Sequence, residues 1–291
     1  MALLEIEDPN HPTALHFNVE GPVFEAGIPV PLLVEALGNV QGLLDKSYLG
    51  LIGRRRLTKE ERNRFYLRTD GVSHSSLHAD LGVIYTGAQL ALPLVGFLGP
   101  SGVWEYAKQA YELAKLVFKS IKKGQSVTYN WNADRSILHV NTGTQTQVFN
   151  GPVFNIASLS LPHYQGLSTL GQPGEVTGVR LGQGDLAEIE FIPSERGLFD
   201  LPTRIEEVPY KVECELFEFD KIDREGRLRV LPGESIPEGD YKFEVVGRQS
   251  VATYIEAMLQ KIVHVTCLRE IAENPISGEK IYGLQVIDIE T

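Results

Sequence analysis

Apolar and polar positions change period several times along the chain, and each change marks an element. Ala14 to Gly21, ALHFNVEG, alternates as a strand does, and Gly21, Pro22 and Gly27 punctuate the segment after it. A helix is predicted to begin near Pro29 or Pro31, because proline is tolerated in a first helical turn. Leu33, Leu37, Val40, Leu44, Tyr48 and Leu51 then recur at steps of four and three, a single stripe facing a core. The next stretch, RFYLRTDGVSHSSLHADLGV, predicts two strands turning at Asp70-Gly71-Val72-Ser73. Phe65 and Leu67 share one face of the first strand, and Leu77, Ala79 and Leu81 one face of the second.

A second helical period comes next. Ser101 suits an N-cap, Glu105 the first turn, Lys122 and Lys123 the last, and Gly124 the position just beyond. Val103, Ala107, Ala110, Ala114, Val117 and Ile121 repeat at alternating steps of four and three, and the alanines permit close approach of a neighbouring backbone. This stripe is the candidate assembly face. Beyond it come a hairpin turning at Asn132-Ala133-Asp134, an apolar segment VFNIASLSL that suits helix or strand, and the strands VTGVRLG and AEIEFIPS joined across Gly182 to Asp185. The pattern predicts an α+β fold, an antiparallel sheet with two long helices packed on it.

The texture changes around FDLPTRIEEVPY. From Tyr210 the order is three strands, one helix and two strands, which is the chain order of an OB-like barrel; a generic small antiparallel β-barrel with a plug helix has the same order. The expected organisation is an α+β assembly domain over residues 1–203 and a barrel domain over 204–291. No self-similarity of 20 to 50 residues suggests a solenoid.

Composition fits this picture: 291 residues, 43% apolar and 22% charged, describe an ordinary globular chain with order expected throughout. Charge changes the choice of partner. The formal net charge is −11, and Ile205 to Thr291 alone holds 10 basic against 18 acidic side chains, a net of −8 that leaves −3 for the rest. Such a barrel repels phosphate, so nucleic acid is a disfavoured partner and a protein with a basic face suits it better. The one dense basic cluster, RRRLTKEERNR, is diluted by Glu60 and Glu61 and reads as a solvated helix end. Cys214 and Cys267 sit in apolar alternation, without metal or redox spacing. The most apolar run, Gly87 to Gly99, spans 13 residues where a membrane helix needs about 20, so it reads as core and no membrane span is expected. The acidic, proline-containing N-terminus lacks the pattern of a signal peptide, and a cytoplasmic location is the expectation.

Candidate chemistry is sparse. In HSSLHAD a strand would place His74, Ser76, His78 and Asp80 on one face, and two histidines with a carboxylate are a legitimate ligand set; the ordinary polar face of a half-buried sheet explains the same spacing. His74, His78 and Asp80 are thus the alternative catalytic set. His163 reads as a structural hydrogen-bonding histidine. Glu213 and Glu215 alternate with Val212, Cys214 and Leu216 as the wet outside of a barrel strand does. No nucleophile elbow, zinc-protease, P-loop or dinucleotide motif occurs, and no cofactor is expected. In VNTGTQTQVF, read as one extended strand, Thr142, Thr144 and Thr146 point one way with Val140 and Val148, and neither face offers Lys, Arg or a nucleophile pair. Such a strand suits pairing with another chain, or plain exposure within one subunit.

The run ALHFNVEG, GIPVPLLVEALGNVQGLLDKSY and FYLRTDGVSHSSLHADLGV, together with the helix from Val103, resembles uncharacterised bacterial proteins encoded in anti-phage defence gene clusters. The resemblance covers about the first 125 residues and implies a prokaryotic defence or accessory protein without assigning any catalytic residue. The expected function is therefore a non-enzymatic, self-associating or partner-binding subunit, a homo-oligomer that recruits a second protein through its acidic barrel. A metal-dependent hydrolase or nuclease is the alternative, and a sensor of a small polar ligand such as a nucleotide near Thr142 to Gln147 is a further one.

Overall fold

The computed structural model describes residues 13–54, 56–73, 77–85, 90–92, 96–98, 100–143, 145–183 and 186–290. The chain divides into two compact units, Met1–Asp200 and Leu201–Thr291.

In the first unit, strand β1 (Thr13–Glu20) turns Leu15, Phe17 and Val19 into the core and His16, Asn18 and Glu20 to the opposite face. Helix α1 (Val30–Ile52) carries Pro31 in its first turn and ends at Gly53, whose φ of 67° permits the left-handed cap that bonds back to Leu49. Its buried stripe runs Leu32, Ala36, Val40, Leu43, Leu44, Tyr48 and Leu51, so Leu33 and Leu37 lie at its margin rather than its centre. A stripe read from spacing alone is uncertain by about one position, because adjacent residues are only about 100° apart around the helix. The basic cluster forms the short helix α2 (Lys59–Arg64), capped by a reciprocal Thr58–Glu61 box, and pairs Arg54 with Glu61 and Arg64 with Glu60.

Strands β2 (Phe65–Ser73) and β3 (Leu77–Tyr85) pair antiparallel, but the turn expected at Asp70-Gly71 is absent. Asp70 and Gly71 instead form a bulge between Thr69 and Val72, with the Thr69 hydroxyl bonded to the Gly71 carbonyl. Asp-Gly suits a bulge as well as a turn. Strands β4 (Leu90–Leu92) and β5 (Gly96–Leu98) form a small ladder; the burial expected for Gly87 to Gly99 falls outside the described side chains. Helix α3 (Pro100–Lys122) begins before Ser101, which is therefore a helical residue and not the cap. Then come β6 (Thr128–Trp131), β7 (Ile137–Asn141), β8 (Thr146–Asn150), helix α4 (Gly151–Ser168), β9 (Gly178–Gly182) and β10 (Ile189–Phe191).

The main sheet has the order β10-β9-β1-β3-β2, antiparallel throughout, and β6-β7-β8 form a separate meander. The segment left open between helix and strand is α4, a third long helix that packs against both α1 and α3. Tyr111 of α3, Tyr164 of α4, Phe191 of β10 and Phe199 pack edge-on or tilted against one another in the core, with Tyr111–Phe191 centroids 5.2 Å apart. Buried Trp104 donates its indole N–H to Glu188 at 2.7 Å, and Lys108 binds the other carboxylate oxygen.

The second unit comprises β11 (Thr203–Ile205), β12 (Tyr210–Asp220), β13 (Glu225–Val230), β14 (Gly239–Val245), helix α5 (Val251–Ala257), β15 (Val263–Asn274) and β16 (Gly278–Glu290). Strands β12-β13-β14-β16-β15 close back onto β12, and β14 pairs with β16 in parallel while the other pairs are antiparallel. This is the closed five-stranded OB-like barrel. The short β11, unforeseen in the sequence, adds to β15, so Leu201–Thr203 belong with the barrel. Ser250 caps α5, and Tyr254 and Ala257 enter the barrel core beside Val212, Leu228, Phe243, Val265 and Val286. No helix among the described residues is long and apolar enough to cross a membrane.

Candidate functional site

The polar face of the main sheet holds the densest chemistry. Because Leu15, Phe17, Val19, Leu77, Ala79 and Leu81 all enter the core, the register of β1 on β3 cannot slip by one without exposing them. That register sets His16 opposite Asp80 and Asn18 opposite His78. His16 Nδ1 donates to Asp80 Oδ1 at 2.7 Å, and His78 Nε2 lies 3.6 Å from the same oxygen. The two imidazoles stack with centroids 6.3 Å apart. All three remain open to solvent, with side-chain exposures of 40% for His16, 44% for His78 and 69% for Asp80. Further along the face, Arg180 of β9 is clamped between Glu20 at 2.6 Å and Glu190 at 2.8 Å.

Of the set expected from HSSLHAD, the structure brings His78 and Asp80 together, while His74 and Ser76 lie outside the described residues. The additional ligand-type side chain is His16, which sequence spacing could not supply. It stands 64 residues from Asp80, and only strand pairing makes them neighbours.

The assembly stripe requires a correction. Val103, Ala107, Ala110, Ala114 and Val117 are buried inside the first unit, which their own chain covers, so they present no face to a second copy. Amphipathic spacing identifies a buried face but not whose atoms bury it. The Thr/Gln strand is also corrected: β7 ends at Asn141, and the chain reverses before β8 starts at Thr146. Thr142 is buried in that turn, where its N–H bonds the Gln145 carbonyl at 3.0 Å, and Gly143, at φ 82°, donates to the Asn141 side chain. Thr144 lies outside the described residues; Thr146 is exposed on β8, the edge strand of its meander. The glycine at the turn was the available signal, since positive φ favours it.

On the barrel, Arg227 and Arg229 of β13 occupy the outer face that such barrels use for oligonucleotides. Arg229 binds Asp240 at 2.6 Å and lies over the Phe217 ring, and Arg227 faces Glu218 at 3.4 Å. A phosphate approaching either guanidinium meets a carboxylate already there. Glu206 is likewise committed to Arg269 at 2.5 Å. Cys214 and Cys267 are both buried, and burial pushes their thiols up to about 12 and about 11. At the end of α5, Ile255, Leu259 and Ile262 turn outward, and Leu259 is 87% exposed.

A shallow recess of about 280 Å³ at the C-terminal end of α3 is lined by Lys119, Lys122, Lys123, Ser194, Glu195 and Leu198. Lys119 binds Glu195, Lys122 binds the Gly197 carbonyl, and lysines at a helix C-terminus also answer the helix dipole. These contacts account for Lys119 and Lys122 without a ligand. Comparison with protein-family models, with curated proteins and with solved structures finds no match to this chain.

Proposed function

We propose that this chain is a non-enzymatic binding subunit whose acidic barrel docks a second protein through the exposed apolar side chains at the end of α5. The observation that carries this reading is Ile255, Leu259 and Ile262 standing outward while their helical neighbours Tyr254 and Ala257 plug the core. A seven-residue helix that turns Ile255 outward while Tyr254 and Ala257 fill the barrel, followed by exposed Leu259 and Ile262, leaves an apolar surface to cover. The charge of the barrel selects the occupant. Two copies of the barrel unit, Arg204 included, would bring a net of −7 against −7, whereas a partner with basic residues around an apolar centre gains from the same field. With Val103, Ala107, Ala110, Ala114 and Val117 interior, the homo-oligomer expectation loses one of its two surfaces and keeps only the exposed edge strand β8, and the protein partner is the reading preferred. An anti-phage defence system, implied by the resemblance of the first 125 residues, is the proposed setting.

A photoreactive side chain at position 259, introduced in the native host, tests the reading. The expected product is a covalent adduct with one other protein, which then binds the purified chain, loses at least about tenfold in affinity on Leu259→Asp and weakens with added salt. An adduct only with a second copy, or binding indifferent to Leu259→Asp, refutes it.

A further inference from the structure

The polar face of the main sheet is independent of that docking reading, and there we infer that His16, His78 and Asp80 bind a first-row divalent transition metal, zinc or iron(II) by donor type. Two imidazoles and a carboxylate are the donor set that holds these ions while leaving coordination positions open. The three ligand atoms lie within 4.8 Å of one another. Around a tetrahedral ion with bonds of about 2.0–2.1 Å, neighbouring ligand atoms are about 3.3 Å apart. His16 Nδ1 and Asp80 Oδ1 are closer than this and His78 Nε2 to Asp80 Oδ1 is near it, so closing the set needs only side-chain rotation at the exposed His78 and Asp80.

The surroundings favour an ion with free positions. The residues across and along the two strands from His16 and Asp80 are Gly182, Ala14 and Gly82, which the register places on the same face. Ala14, which is exposed, and Gly82 carry a methyl group or less and flank the His16–Asp80 pair on the side away from His78, leaving room there for water or a small anion on the metal, while the Leu186 carbonyl covers Gly182. The backbone beneath is held by six buried apolar side chains, so the donors sit on rigid strands rather than a loop. Of the two arginines near the site on this face, Arg180 is spent on Glu20 and Glu190, and Arg68 stands opposite Gly82 on β2, the strand beyond Asp80 from His16. Binding at His16 Nδ1 leaves the imidazole proton on Nε2, the other tautomer, and puts the metal where the proton now bridges His16 to Asp80.

The test uses the full chain without an affinity tag, stripped with chelator and titrated with Zn²⁺ by calorimetry, with imidazole nitrogen NMR read in parallel. One equivalent is expected to bind at micromolar or tighter affinity, and Nδ1 of His16 and Nε2 of His78 are the nitrogens expected to shift. His78→Ala and Asp80→Asn are each expected to weaken binding at least about tenfold while circular dichroism stays unchanged. His139→Ala, an exposed histidine on β7, is expected to bind as the unaltered protein does. Absence of uptake by the unaltered chain, or uptake that survives His78→Ala and Asp80→Asn, overturns the assignment and leaves the three as the polar side of a sheet.

Discussion

The imidazole of His163 on α4 lies flat against Gly42 of α1: a Cβ placed on Gly42 would collide with His163 Cε1 and stand 2.5 Å from both ring nitrogens. The ring fills the space that glycine leaves, and Asn39, one turn earlier on α1, meets His163 Nδ1 at 3.2 Å. Gly166 repeats the arrangement in reverse, lying against the Asn39 side chain. Close approach of α1 and α4 therefore depends on which residues are small.

Gly42→Ala is expected to destabilise the protein even though alanine is the better helix former by about 1 kcal/mol. Forcing a methyl into a packed ring costs about 1–3 kcal/mol, which outweighs the propensity gain. Denaturant melts of Gly42→Ala, His163→Ala and the double variant test this. The double variant is expected to be more stable than the sum of the single losses, because the new methyl occupies space the imidazole vacates.

His163 also gives the fold a pH dependence. Burial, reinforced by Lys46, lowers its pKa from 6.5 to about 4. Between those values the unfolded chain takes up a proton that the folded chain refuses, so stability declines as pH falls through 6.5 and the decline levels off below 4. Thermal melts from about pH 7.5 to about pH 4.5 are expected to show a smaller fall for His163→Gln than for the unaltered protein; parallel curves would place the dependence elsewhere.

Cys214 and Cys267 are expected to resist thiol reagents at about pH 8 in the native state and to react fully in denaturant, since burial disfavours both thiolates. Colourimetric thiol counting measures this directly. Rapid labelling of either cysteine without unfolding would mean that the barrel core opens.

The fragment Leu201–Thr291 is expected to fold alone with a single cooperative transition. Its core, which includes Val212, Leu228, Ile236, Phe243, Tyr254, Val265 and Leu284, is drawn entirely from within the unit. Near-ultraviolet circular dichroism and a urea melt of the fragment provide the check; a gradual, non-cooperative melt would contradict it.

Patterns of short range were legible in the chain and long-range pairings were not. The alternations in YKVECELFEFD and RLRVL place Val212, Cys214, Leu216, Leu228 and Val230 in a core whatever they pack against, because a strand's period is set by its own backbone. The order of strands and helix from Tyr210 onward narrowed the unit to a small barrel, OB-like or generic, and the parallel pairing of β14 with β16 decided between them. Tertiary structure alone determined that the Val103 stripe is covered by its own chain, that VNTGTQTQVF folds back on itself instead of extending, and that His16 stands beside Asp80. Periodicity states that a face must be buried or a side chain exposed. It carries no information about the neighbour, which depends on strand register and helix packing across many tens of residues.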